Sequence, residues 1–112
     1  MKSLLLGEYL QQGDVIIEKC QEIPKEAKAV KPRKHKGYVL ADGETTGHCH
    51  AISETKYTSL FLVGSTMYLK VEHQVEIKHE EHKKLSIPIG IYTVRQVREY
   101  DHFLEEARAV RD

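Results

Sequence analysis

Residues 59–79 read SLFLVGSTMYLKVEHQVEIKH, and this stretch decides the fold class. Its first half holds two β-rich runs, 59–63 and 66–71, on either side of Gly64-Ser65. A two-residue link that begins with glycine predicts a tight type II′ hairpin, because that turn needs a positive φ at its first position. The second half alternates, with Val71, His73, Val75, Ile77 and His79 on one parity and Glu72, Gln74, Glu76 and Lys78 on the other. A period of two belongs to a strand, since a helix would scatter these residues around its circumference. The pattern predicts a strand over 71–77 with His73 and His79 on its apolar face, His73 as a core or half-buried residue rather than a ligand.

The flanking sequence extends the same pattern. Gln11-Gln12-Gly13-Asp14 reads as a turn that launches a β-branched strand over 15–20, ended by Pro24. Residues 25–36 are polar, basic and interrupted by Pro32, which predicts a solvated loop with a helical turn over 27–30. A strand over 37–41 leads into Asp42-Gly43, a hairpin signal, and a returning strand over 44–52. Gly47 inside that strand points to a bulge or a close backbone approach. Leu85-Ser86-Ile87, the turn Pro88-Ile89-Gly90 and a strand over 91–97 follow, and good helix formers from Phe103 to Val110 predict a short C-terminal helix. Short strands separated by turn signals predict an all-β single domain spanning 1–112, a small barrel or roll closed by that helix.

Composition bounds the rest. A chain of 112 residues has room for one core. Its 17 cations balance 17 anions, so no global field draws it to nucleic acid or membrane. Leu4-Leu5-Leu6 is too short for a secretion signal, and no later run approaches membrane-spanning length. Two cysteines make no disulfide framework, which predicts a reduced, cytoplasmic setting. A homo-oligomer remains open.

The chemistry lies in the histidines, which number 7. In Gly47-His48-Cys49-His50, strand alternation points His48, His50 and Ile52 to one face and Cys49 and Ala51 to the other. Two imidazoles so placed can bind one ion, and a third ligand from a neighbouring strand leaves positions open for water or a small-molecule ligand. His79 is the expected third ligand, and His82 a fourth if its loop folds back. The run His79-Glu80-Glu81-His82 has a spacing of three, not the four of a zincin helix, which argues against a metallopeptidase. Mixed N and O donors suit Zn, Fe, Mn or Ni. Glu80 and Glu81 are then the candidate general bases beside a Lewis-acidic ion.

His48-Cys49-His50, followed after three residues by Glu54, resembles the first cupin motif, in which two histidines and a glutamate bind a divalent metal. Pro88-Ile89-Gly90 resembles the P-x-G of the second cupin motif, with Thr93 where that motif's histidine would follow. The resemblance implies a cupin-like roll with Glu54 as a metal ligand beside the histidines. The stretches Gly43 to His50, His79 to His82 and Gln96 to Tyr100 are also similar to small uncharacterised bacterial and phage-borne proteins carrying G-E-x-T-G-H-x-H, H-E-E-H and Q-x-x-E-Y. That likeness implies no activity.

The sequence therefore supports a small metal-binding β-domain of unspecified reaction, with a cupin-like metalloenzyme as its catalytic form. The alternative is a non-enzymatic module that contacts nucleic acid or a protein through Lys25, Lys28, Lys31, Arg33, Lys34 and Lys36. No base-stacking aromatic motif accompanies those cations, so a solvated loop is the simpler account of them.

Overall fold

The computed structural model describes residues 3–43 and 47–97. The C-terminal helix expected over 103–110 lies outside the described residues. The strands in chain order are β1 (Tyr9–Gln12), β2 (Val15–Lys19), β3 (Lys28–Val30), β4 (Tyr38–Asp42), β5 (Cys49–Ile52), β6 (Thr58–Val63), β7 (Thr66–Val71), β8 (Val75–Ile77), β9 (Leu85–Ile87) and β10 (Gly90–Gln96). Among the described residues the fold is all-β, without a helix.

Six strands form one sheet in the order β1-β2-β10-β7-β6-β3, with antiparallel pairing throughout. Two hairpins with the same turn chemistry build it. Gln12 pairs Val15 across Gly13-Asp14, and Val63 pairs Thr66 across Gly64-Ser65. Gly13 and Gly64 have φ of 56° and 59°, while the residue after each stays at negative φ, as a type II′ turn requires.

The remaining strands make two short ladders, β4 with β5 and β8 with β9. A bridge between Ala51 and Lys78 joins the ladders through reciprocal bonds of 3.0 and 2.8 Å. They lie over one face of the sheet. The core therefore mixes Val15, Ile17, Leu60, Leu69, Val71, Tyr92 and Val94 from the sheet with Leu40, Ile52, Val75, Ile77 and Ile87 from the ladders. Each such side chain stabilises the fold by about 1.5–3 kcal/mol on burial.

Several expectations are corrected. Among the described residues the sheet does not close into a barrel, since β1 pairs there only with β2 and β3 only with β6, leaving both as edges. Gln11 and Gln12 belong to strand β1 rather than to the turn, and both are buried. Residues 28–30 form an edge strand instead of a helical turn, because there they satisfy the backbone of β6 from Leu60 to Leu62. The strand expected over 71–77 breaks at 72–74, where the chain leaves β7 on the sheet for β8 on the second layer. His73 sits at that corner, exposed and stacked on Tyr57 with ring centroids 5.1 Å apart, not on the apolar face. The link after Asp42 is also longer than a two-residue hairpin. Asp42 pairs Cys49, and the described part of the returning strand begins there. The bulge lies in β4, between Val39 and Ala41, rather than at Gly47.

Candidate functional site

The parity of β5 places its side chains as alternation requires. Cys49 and Ala51 pack with Val39, while His50 and Ile52 turn to the other side. His50 is 1% exposed. Beyond the Ala51–Lys78 bridge the chain turns through His79, Glu80, Glu81 and His82, and the Glu81 N–H donates to His79 Nδ1 at 3.0 Å. The bridge thus carries the second histidine pair to the first.

Four histidines, His48, His50, His79 and His82, line one cleft of about 290 Å³ with Asp14, Glu81, Gly13 and Gly43. Ring centroids are 4.3 Å apart for His50 and His79, 4.7 Å for His79 and His82, 5.7 Å for His50 and His82, and 6.0 Å for His48 and His79. The glycines admit the ring tips. A Cβ on Gly13 would lie 2.6 Å from His82 Nε2, and one on Gly43 would lie 3.0 Å from His79 Nε2.

The polar contacts of the rings differ. His50 Nδ1 lies 2.9 Å from Gln12 Oε1, and His50 Nε2 lies 3.2 Å from Asp14 Oδ1. Burial holds the His50 imidazole below its ordinary pKa, and the neighbouring His79 adds to this against the opposing pull of Asp14. The Glu81 carboxylate approaches His48 Nδ1 to 3.0 Å, but off the hydrogen-bonding direction. Among the described residues that nitrogen is shielded from solvent and has no hydrogen-bond partner.

The sequence-selected residues thus separate. His48, His50, His79, His82 and Glu81 share the cleft. Glu54 does not join them. The chain turns away after β5, and Glu54 is exposed at a different hollow beside Ser53, Val75, Glu76 and Lys78. Glu80 faces the opposite side of β5, where it accepts the Cys49 N–H at 3.0 Å. That bond holds its carboxyl below the usual range. Asp14 and Gln12 belong to the site although the sequence reading assigned them to a turn. Nothing in the local sequence tells which loop that turn will face.

Among the described residues no three of His, Cys, Asp or Glu stand, as placed, close enough together to hold a metal ion. One ion could be shared only after the rings turn from these positions. The basic segment over 25–36 is largely exposed, and part of it is engaged within the chain. Arg33 pairs both of its terminal nitrogens with Asp42, at 3.1 and 3.3 Å, and Lys36 donates to Gly47 O. No helix among the described residues is long and apolar enough to cross a membrane.

The sequence model of a family described as Domain of unknown function (DUF8820) matches residues 11–97. The match contains Gln12, Asp14 and every histidine of the cleft. No curated protein and no solved structure matches the chain.

Proposed function

We propose that this chain, which belongs to the DUF8820 family, binds a divalent metal ion in the cleft between β5 and the turn after β8. The observation that carries the reading is the convergence of four imidazoles and two carboxylates, drawn from three separate chain segments, on one opening. Histidines scattered on a polar surface have no reason to meet there. The donor chemistry fits an ion as well. Among the described residues His48 Nδ1 lacks a hydrogen-bond partner although Glu81 lies beside it, and the carboxylates of Asp14 and Glu81 supply negative charge.

His48, His50 and His82 are the nitrogen donors in this reading, His79 joins them where its ring gives up the Glu81 N–H that its Nδ1 accepts, and Asp14 replaces Glu54 as the carboxylate ligand. Mixed N and O donors suit Zn, Fe, Mn or Ni, so Zn²⁺ is a suitable first probe. The cleft volume leaves room for water or a small ligand beside an ion. A bound ion would supply Lewis acidity there, and Glu81 is the carboxylate placed to hold a proton at its rim. The cupin-like architecture suggested by the sequence agrees in the use of an H-x-H strand pair and departs in the carboxylate.

The test is elemental analysis of purified protein together with calorimetric titration of Zn²⁺, Mn²⁺ and Ni²⁺. The expected result is one ion per chain, lost in a His48→Ala, His82→Ala double variant whose circular dichroism stays that of the parent. Absence of uptake of every ion, or uptake unchanged in the double variant, defeats the proposal.

A further inference from the structure

We infer that Gln12 fixes His50 in the tautomer with its proton on Nδ1, so that His50 Nε2 and Asp14 Oδ1 form the anchor pair of the site. The inference rests on the metal-binding reading and extends it by naming the residue that prepares the first ligand.

The argument begins with the Gln12 amide, which is 3% exposed. Its Nε2 donates to Ile77 O at 2.9 Å and to Lys83 O at 2.8 Å. Those two bonds use both N–H groups of the amide. Turning the amide over would set its oxygen against two carbonyl oxygens in a buried place, which is costly. Oε1 is therefore the atom that meets His50, and an amide oxygen can only accept. The ring nitrogen 2.9 Å from it must donate, so His50 Nδ1 bears the proton.

In the neutral ring Nε2 then carries a lone pair, and it points at a carboxylate oxygen 3.2 Å away. In that form of the ring two acceptors face each other with no proton between them. Asp14 is held there. Its Oδ2 accepts from Gln96 Nε2 at 2.6 Å, and its backbone carbonyl accepts the Val97 N–H at 2.7 Å. A cation resolves the conflict. Two ligands each about 2.0–2.2 Å from one ion stand about 2.8–3.6 Å apart in octahedral to tetrahedral geometry, and the observed separation of 3.2 Å falls in that range. An imidazole N–H held by a fixed acceptor, with the other nitrogen free, is the arrangement that orients a ligating histidine. Gln12 also ties β1 to Ile77 and Lys83, on either side of the His79–His82 turn, so it sets the position of that turn as well.

The test is a long-range ¹H–¹⁵N correlation of the histidine rings in metal-free protein at pH 8. The expected spectrum of His50 has a protonated Nδ1 and an unprotonated Nε2. A protonated Nε2, alone or with Nδ1, overturns the inference whatever the metal does. Added Zn²⁺ should then shift Nε2 and leave the Nδ1 proton in place. If the tautomer is as stated but Zn²⁺ moves nothing, the metal-binding reading fails and so does the ligand role of the pair, while the control by Gln12 stands. Gln12→Leu should release the tautomer and weaken Zn²⁺ binding by roughly 10–100-fold. Zn²⁺ affinity and tautomer both unchanged in Gln12→Leu would overturn the role of Gln12. If that variant does not fold, the parent spectrum alone decides.

Discussion

Replacing Asp14 with Asn should raise the stability of the metal-free protein while weakening its hold on metal. The two carboxylate oxygens have separate partners, Gln96 Nε2 at 2.6 Å and His50 Nε2 at 3.2 Å. An asparagine can present its oxygen to Gln96 and its amide N–H to the His50 lone pair. One contact between two acceptors then becomes a hydrogen bond, worth about 0.5–1.5 kcal/mol net. The bond to Gln96 loses its charge assistance and takes part of this back. A net gain of about 0.5–1 kcal/mol remains, or an increase in Tm of roughly 2–6 °C for a domain of this size. The same change deletes an anionic ligand, and Zn²⁺ affinity should fall at least about 10-fold, equivalent to about 1.4 kcal/mol. Thermal melts at pH 8, in chelator and then in excess Zn²⁺, measure both effects. Zn²⁺ at about 100 times the parent's Kd should stabilise the parent by roughly 2.7 kcal/mol and the variant by about 1.4 kcal/mol or less. A variant less stable than the parent in chelator would refute the reasoning. It would mean that His50 Nε2 already carries a proton and that Asp14 accepts it.

Three further outcomes are expected. Because burial lowers the His50 pKa in the folded state, the unfolded chain binds the proton more readily. Metal-free stability should therefore be fully present above the ordinary histidine value near 6.5 and decline as pH falls below it, as urea titrations across pH 8 to 5 would register; stability that rises on acidification would contradict this. Tyr92→Phe should cost about 1–3 kcal/mol in urea unfolding, because it strips Pro88 O of a buried donor at 2.6 Å, whose phenol burial has pushed up to about 12; metal uptake should not change. Gly13→Ala should lose about 1–2 kcal/mol from its φ of 56° and displace His82, which its Cβ would meet at 2.6 Å, so Zn²⁺ affinity should drop with stability; parent-like affinity would remove His82 from the ligand set.

What could be read from the sequence was what depends on neighbours along the chain. The hairpin over β6 and β7 was legible because alternation and a glycine-first turn agree within a few residues. The inward parity of His50 followed from strand geometry alone, and so did the outward parity of Cys49 and Ala51. Elements that exist only through partners were not legible. β3 is a strand because β6 offers it an edge, and its own sequence fits a helical turn equally well. Residues 71–77 keep one parity across two strands, so alternation could not reveal that the chain changes layers at His73. The largest omission has the same origin. Gln12 and Asp14 flank a glycine turn, and their residue types suit a turn, so a local reading stops there. Their role follows from two facts of the tertiary fold: the Ala51–Lys78 bridge, and the bonds from Gln12 to Ile77 and Lys83. A buried glutamine whose amide N–H groups are both engaged makes Nδ1 of the ring it touches a donor. Once that is fixed, the neighbouring carboxylate calls for a positive charge between them.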